Sequence, residues 1–441
     1  MNQDFMVKKK ILPLVLSMSY PMVLSMLVNS LYNIVDSYFV AKISENAMTA
    51  LALVYPLQNV EHSVAVGFGI GINAAAAFFL GAGQRKRADN AVSQGIILGG
   101  VHGLILTVVC IAVMPSFLRL FTSDSEVIQY GIIYSNVVFG FSIVQNIAIT
   151  FEKIFQAVGK MKVSMVSMLI GCITNIILDP IFIFGIGPVP AMGVKGAAIA
   201  TGIGQAVTCL VYLIVFIGFK QPVSFKVHRT LFKDDVYKRL YAVGIPATLN
   251  MGLPSLLITM LNGILAEFSQ VYVLILGIYY KLQTFIYLTA NGVIQGIRPI
   301  VSFNHGAGRR DRVLGITKTS LMLCAGIMAF GTVLCLAIPN VLMGMFSQTP
   351  ETIAEGAAAL RIISAGFIVS AVSVVISGVY EALGEGIPSL VISIIRYIVI
   401  AGIAYLISRF AGAMGVWNAF WITEVIATAV SAAMFARQLQ K

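Results

Sequence analysis

Long apolar runs, separated by short polar loops, repeat along the whole chain. The runs reach about 20 residues or more, the length that an α-helix needs to cross a bilayer, whereas barrel strands would give alternating runs of about ten. Backbone groups in lipid must pair internally, so the pattern predicts an all-α membrane protein. We expect twelve transmembrane helices, at residues 13–40, 50–80, 90–114, 130–156, 162–187, 193–218, 240–266, 272–303, 314–338, 355–382, 388–408 and 414–437.

The composition supports lipid as the main solvent of this chain. Of its 441 residues 58% are hydrophobic and only 11% are charged, against about 25% charged residues in a soluble domain. The mean hydropathy is +0.92. The net charge of +11 would suggest a nucleic-acid partner in a soluble protein. Here the basic residues cluster in loops, so we expect membrane lipids and no nucleic acid as partners.

The loops on alternate sides of the predicted helices differ in charge. Basic residues crowd the N-terminus, the C-terminus and the loops at 84–90, 152–163, 219–240 and 305–318. The loops on the other side carry only Lys42, Arg119, Lys195 and Arg409. By the positive-inside rule, both termini lie in the cytoplasm, as an even number of helices requires. We therefore expect a multi-pass protein of the cell (inner or plasma) membrane.

The two halves of the sequence repeat each other. Three pairs of residues share one offset of 225 positions, and they are Pro21 with Pro246, Gly81 with Gly306, and Gly159 with Gly384. Six helices in each half give the repeats the same topology, which predicts two bundles related by a pseudo-two-fold axis along the membrane normal, with a cavity between them. We expect an N-lobe at 1–218, a cytoplasmic linker at 219–239 and a C-lobe at 240–441.

The chain lacks the sequence motifs of several functional classes. The Walker pattern is absent, as are HExxH, GxSxG and any recognisable catalytic pair, so we do not expect an enzyme or a bound cofactor. The five cysteines lie inside apolar runs without CxxC spacing, which indicates neither disulfides nor a cysteine metal site. No soluble ATPase domain is present, so uphill transport would depend on an ion gradient.

Two acidic residues interrupt apolar helices of the first half. Asp36 follows Tyr32 by one helical turn, and Asp179 follows Asn175 by one turn. Ionisable groups inside spans are costly and mark ion or substrate pathways. Two shielded carboxylates bind a proton readily, and with amide and hydroxyl oxygens they can hold Na⁺. Pro180, directly after Asp179, interrupts helical hydrogen bonding and frees a carbonyl. The alternative is that both acids simply lie near helix ends.

The second half does not copy this acid pair, because the equivalent positions are Leu261 and Ala404. Other polar residues fall within predicted spans. We expect Lys281, Gln283, Gln58 and Gln205 to line a substrate cavity, with a structural ion pair as the alternative for Lys281. Arg298 and Glu381 are expected at the interface near cytoplasmic helix ends. The depth of Glu61 and His62 depends on a helix boundary that the pattern leaves open.

Taken together, these motifs resemble the multidrug and toxic compound extrusion (MATE) family, in its DinF- and MepA-like bacterial branch. The resemblance rests on YNIVDSYFV, the GAGQRKRAD loop, the pair Asn175 and Asp179-Pro180, and the second GAG-basic loop. It covers essentially the full chain. It implies a cation site of Asp36, Asn175 and Asp179 with Thr201 on the sixth helix, and it associates Tyr32 and Pro21 with bending of the first helix.

The resemblance implies an H⁺- or Na⁺-coupled antiporter that exports cationic or amphipathic drugs. We expect it to work by alternating access and as a monomer. The acids and the missing ATPase domain agree with that expectation. The alternative is a flippase for lipid-linked oligosaccharides or other lipids of the same superfamily. Such a flippase often carries a strongly cationic central cavity, whereas the basic residues here lie mostly in loops.

Overall fold

The computed structural model describes residues 4–228 and 230–440, with side chains up to Gln438; the basic residues Arg229 and Lys441 and the first three residues lie outside this part. The regular structure of the described residues is helical. The spans, numbered in chain order, are Ile11–Ala41, Glu45–Gly81, Arg85–Phe121, Ser125–Gly140 with Ser142–Ala157, Met161–Phe184, Val194–Gly218, Val236–Ala266, Gln270–Gly306, Arg310–Ala337, Pro350–Ser364 with Phe367–Leu383, Gly386–Ala411 and Ala413–Gln440.

Two of these spans are broken by a bend. Ten helices are long and apolar enough to cross a membrane, and counting each bent pair as one span gives twelve. Span 4 bends by 46° at Phe141, and span 10 bends by 52° between Ser364 and Phe367. The predicted number and order of spans are therefore confirmed. Short helices at Phe5–Lys8, Leu231–Lys233 and Pro339–Gly344 lie outside the spans.

The repeat is visible in the local structure of the two halves. Span 1 and span 7 have identical lengths, and both begin and end 225 residues apart. Ser44 caps span 2 by accepting a bond from the Ala47 amide, and Ser269, 225 residues later, caps span 8. Gly83 and Gly308 follow these spans with φ of 72° and 70°, a left-handed turn that glycine makes without strain. Equivalent sequence signals thus produce equivalent helix ends.

Spans 1 and 7 pass between the two lobes. The inner half of span 1, on the side of the basic loops, packs into the C-lobe core through Leu14, Met18 and Met22. Its outer end packs into the N-lobe core through Val40. Span 7 does the reverse, with Leu240 in the N-lobe core and Leu261 in the C-lobe core. Each lobe is therefore completed by a helix that the other half of the sequence provides.

The lobes meet at their inner halves. A Cβ atom added to Gly67 of span 2 would collide with Thr248 of span 7, and one added to Gly292 of span 8 would collide with Val23 of span 1. Small residues allow helix backbones to approach this closely in membranes. Among the described residues, the outermost hydrogen bond between the lobes joins Asn59 and Ser255. The interface is thus closed toward the basic loops.

Candidate functional site

Asp36 and Asp179 come together inside the N-lobe, near the outer ends of spans 1 and 5. Their carboxyl groups lie within hydrogen-bonding reach of each other. Asp179 is completely buried and Asp36 is half-buried. Oδ1 of Asp36 and Oδ2 of Asp179 are buried without a hydrogen-bond partner among the described residues. Two carboxylates at this separation repel each other unless a proton or a cation lies between them.

Asn175 and Thr201 complete the site from spans 5 and 6. The Asn175 side-chain amide donates to Oδ1 of Asp179 at 3.3 Å and faces Oγ1 of Thr201 at 3.4 Å. Both residues are buried, and Oδ1 of Asn175 has no partner among the described residues. Asn175 and Asp179 share a helix face because they are one turn apart. The four residues expected to form the cation site thus lie together in one polar cluster, which we call the chamber.

Two tyrosines line the same chamber. Tyr32, on span 1, lies within electrostatic reach of both acids. Tyr134, on span 4, is 4% exposed and also faces Asp36 and Asp179. Gln58, on span 2, lies within hydrogen-bonding reach of the Tyr134 hydroxyl. Tyr134 was not identified from the sequence, where it is one of 16 tyrosines in an apolar chain and has no distinguishing spacing.

Polar side chains continue inward from this chamber. Gln205 lies one turn inward of Thr201 on span 6, and its amide donates to Gln145 of span 4 at 3.0 Å. Gln145 faces Nδ1 of His62 at 3.4 Å. The structure therefore places Gln58 and Gln205 in the polar interior of the N-lobe. Pro21 and Pro180 lie within continuous helices, in spans 1 and 5.

The candidate cavity residues of span 8 lie apart from this chamber. Lys281 is exposed, with its ammonium 5.7 Å from the ring centre of Phe346. Among the described residues it forms no salt bridge, so the ion-pair alternative lacks a partner there. Gln283 is half-buried. A role for either residue in substrate binding stays a prediction.

Three buried ion pairs lie within the spans, and the sequence pattern did not predict them. Lys153 bonds to Glu152 at 2.8 Å, Arg298 to Glu381 at 2.6 Å, and Arg396 to Glu424 at 2.8 Å. Arg298 and Glu381, expected near cytoplasmic helix ends, have side chains that are 17% and 5% exposed because they pair inside the C-lobe. Their interfacial depth stays a prediction. Lys153, counted among loop cations, is 3% exposed. Pairing neutralises each cation and makes its burial tolerable.

Arg396 lies on a π-helical turn, Ile395–Val399, which interrupts span 11. Its guanidinium forms three hydrogen bonds with the Glu424 carboxylate of span 12. Ser373 of span 10 also donates to Glu424, at 3.4 Å. The pairs Arg298–Glu381 and Arg396–Glu424 are internal to the C-lobe, whereas Asp36 and Asp179 of the N-lobe have no basic partner among the described residues. The sequence predicts that the second half lacks the acid pair, because Leu261 and Ala404 occupy the equivalent positions.

Two six-helix lobes closed together on one side, with an acid pair buried in one lobe, define a two-lobe membrane transporter. The chain belongs to the MATE family: the family model described as MatE matches residues 21–181 and again residues 246–406. The two matches begin and end 225 residues apart, which is the offset of the internal repeat. The expected membership of this family is therefore confirmed.

Similar proteins span nearly the same length. The "Multidrug export protein MepA" of Staphylococcus haemolyticus (strain JCSC1435) is 25% identical over 409 residues, 92% of this chain and 89% of that one. The protein of the same name from Staphylococcus aureus (strain MRSA252) is 23% identical over 418 residues, 95% of this chain and 92% of that one.

Solved structures share the fold. One, described as the outward-facing conformation of a multidrug resistance MATE family transporter of the MOP superfamily, has a TM-score of 0.93 at 21% identity and covers 100% of this chain and 98% of its own. A second, a MOP superfamily transporter from Pyrococcus furiosus Vc1 (DSM3638), has a TM-score of 0.90 at 22% identity and covers 100% and 99%. At these identities the likeness establishes the two-lobe, twelve-helix architecture.

Proposed function

We propose that this protein is a cation-coupled antiporter that exports cationic or amphipathic organic compounds, with H⁺ or Na⁺ as the coupling ion. The observation that carries the proposal is the meeting of Asp36 and Asp179 in a buried chamber of the N-lobe. Acids within spans are costly, so their pairing calls for a ligand that neutralises them. A proton or a sodium ion taken from outside would do so.

The same four residues would hold either ion. For a proton, one carboxyl would donate to the other, with Asn175 as a second donor to Asp179. For Na⁺, the unpartnered oxygens of Asp36, Asp179 and Asn175 would point at the ion together with the Thr201 hydroxyl. Hard cations prefer such carboxylate, amide and hydroxyl oxygens. Tyr32 and Pro180 have supporting roles, in the chamber wall and in span 5.

Transport would follow from rocking of an N-lobe (1–218) against a C-lobe (240–441) about the linker at 219–239, with alternating access to a cavity between them. Cation binding at Asp36 and Asp179 would change the packing of span 1, which also contributes to the C-lobe core. Pro21 would serve as the bending point of that span. Movement of one charge through about 100 mV supplies about 2.3 kcal/mol. This free energy sustains a ratio of roughly fortyfold between the substrate concentrations on the two sides of the membrane.

The names of the relatives support a drug substrate rather than a lipid-linked sugar, since both are called multidrug export proteins. A flippase for pyrophosphate-linked lipids would need accessible cations in its cavity. Here the buried cations Lys153, Arg298 and Arg396 each bond to a carboxylate. We further propose that the protein acts as a monomer among membrane lipids, with both termini and the basic loops in the cytoplasm.

The test is efflux of a cationic dye from vesicles in which a proton gradient and a sodium gradient are imposed separately. We expect one of the two gradients to drive efflux by the wild-type protein. We also expect Asp36→Asn and Asp179→Asn to reduce gradient-driven efflux at least tenfold, because an amide accepts no proton and brings no charge to a sodium ion.

The matched control is Asp124→Asn, an exposed acid that caps span 4 at the outer surface. It should transport at a rate close to the wild type. Undiminished gradient-driven efflux by both acid-pair variants would defeat the assignment of the coupling site. Dye efflux at a rate that neither gradient changes would show that the protein is not an antiporter coupled to H⁺ or Na⁺.

A further inference from the structure

A third carboxyl group is buried in the N-lobe, apart from the acid pair. Glu61, on span 2, is 1% exposed. The Asn146 side-chain amide donates to its Oε1 at 3.3 Å, and the Ser142 hydroxyl faces it. Among the described residues no lysine, arginine or histidine forms an ion pair with it. An ionised carboxylate left without a counter-charge in such a place is strongly destabilising, as when one partner of a buried ion pair is removed.

The surroundings of Glu61 suit a proton better than a metal ion. The neighbouring amide presents its NH₂ group to the acid, and the other close polar group is one hydroxyl. Sodium needs several converging oxygens, and these two neighbours offer one hydroxyl oxygen between them. A proton neutralises a lone carboxylate with no further ligand, so a protonated Glu61 satisfies this site.

Glu61 is adjacent to the chamber of the acid pair. Gln58 lies three residues earlier on span 2, on the same helix face, and faces Tyr134, which in turn faces Asp36. Side chains three residues apart on a helix have Cβ atoms about 5–6 Å apart. Tyr134, Gln58 and Glu61 therefore form a series of polar side chains inward of the acid pair.

Glu61 also lies against the bend of span 4. Ser142 begins the inner segment of that span, directly after the 46° bend, and the Asn146 amide donates back to the Ser142 carbonyl at 2.9 Å. The N-terminus of a helix, where backbone N–H groups are unpaired, favours a nearby negative charge. A change in the charge of Glu61 therefore acts on the point at which span 4 changes direction.

We propose that Glu61 is a second proton-binding site of the N-lobe, loaded and emptied during the transport cycle. The proposal rests on the antiporter function above and extends it to a further proton. The titratable groups around Glu61 are Cys110 of span 3 and, beyond Tyr134, the acid pair itself. His62, the next residue, is turned toward Gln145 and toward Glu152 and Lys153 of span 4. The equivalent position in the C-lobe is Ile286, so the site belongs to one lobe.

The experiment measures protons released by the purified full-length protein when tetraphenylphosphonium is added in weak buffer. Glu61→Gln should release one proton fewer per molecule than the wild type, while it still binds the cation. The matched control is Glu45→Gln, an exposed acid at the outer end of the same span, which should leave the count unchanged. Equal release by Glu61→Gln and the wild type would overturn the proposal.

A second measurement leaves the carboxyl group in place. The infrared spectrum of the wild type should contain a protonated-carboxyl stretch that Asn146→Leu moves to higher frequency, because that variant removes the hydrogen bond to Oε1. A spectrum that Asn146→Leu leaves unchanged would contradict a protonated Glu61.

The two proposals fail separately. If Asp36→Asn lowers the release and Glu61→Gln does not, the second site is wrong and the antiporter stands. If neither Asp36→Asn nor Asp179→Asn changes the release, the acid pair exchanges no proton with the drug and proton coupling at that pair is wrong, while Glu61 is judged by its own variant.

Discussion

Lys153 of span 4 donates a hydrogen bond across the lobe interface to Gln295 of span 8, with Nζ 3.3 Å from Oε1. The cation is 3% exposed and also bonds to Glu152. On the other side of Gln295, the amide faces the sulfur of Met26 in span 1. A polar connection thus joins the lobes within their apolar inner interface, where such a bond is poorly replaced by water.

Removal of this connection should favour opening toward the cytoplasm. Gln295→Ala takes away one hydrogen bond to a charged donor, worth about 1.5–3 kcal/mol, so we expect the closed population to fall roughly tenfold or more relative to the open one. Lys153 keeps Glu152, and no charge is stranded. Distances between spin labels at positions 85 and 310, with the native cysteines replaced, report the change. Gln221→Ala, which removes a similar bond between Lys160 of the N-lobe and the linker, should leave these distances unchanged.

Close backbone packing at Gly296 should be equally sensitive. An added Cβ would lie 2.5 Å from the Ser19 Cα and 2.7 Å from its nitrogen, both backbone atoms of span 1. We expect Gly296→Ala to hold the inner halves apart, which lengthens the same spin-label distances and slows efflux. Gly277→Ala on the same span meets nothing within 4 Å and is the control. Identical distances in both variants would show that this contact does not set the closed state.

The buried pair of Arg298 and Glu381 should support the C-lobe. Glu381 accepts bonds from Arg298 of span 8, Asn250 of span 7 and Ser389 of span 11, so one carboxylate joins four spans. Glu381→Gln leaves the guanidinium without its counter-charge and should cost about 3–5 kcal/mol. Thermal unfolding in detergent measures the loss. Arg309→Gln, which breaks an exposed pair with Asp311, should not change the unfolding temperature.

The orientation in the membrane can be tested by thiol labelling. A cysteine at Lys226, exposed in the linker, should react with an impermeant reagent in inside-out vesicles alone. A cysteine at Ser123, exposed in the loop before span 4, should react from the outside of intact cells. The excess of basic residues on the linker side gives the expected direction. The reverse labelling pattern would mean that the basic loops face outward.

The sequence predicted the spans well because each needs a long apolar run, and it predicted the repeat because one offset recurs. The chamber of Asp36, Asn175 and Asp179 could also be predicted from the sequence, since a carboxylate in an apolar helix is conspicuous. Tyr134 and Glu61 were not placed, because contacts between spans depend on how helices rotate about their axes. Lys153 was counted as a loop cation for a similar reason. Its helix continues beyond the apolar run, so the sequence does not show whether a polar residue there is exposed or buried between helices.

The exchange of spans 1 and 7 between the lobes has a consequence for assembly. Neither half of the chain holds all the helices that its own core needs at the inner side, so neither half expressed alone should form a stable bundle. A chain cut within the linker should still assemble when both fragments are synthesised together in one cell, since each fragment then supplies the helix that the other is missing.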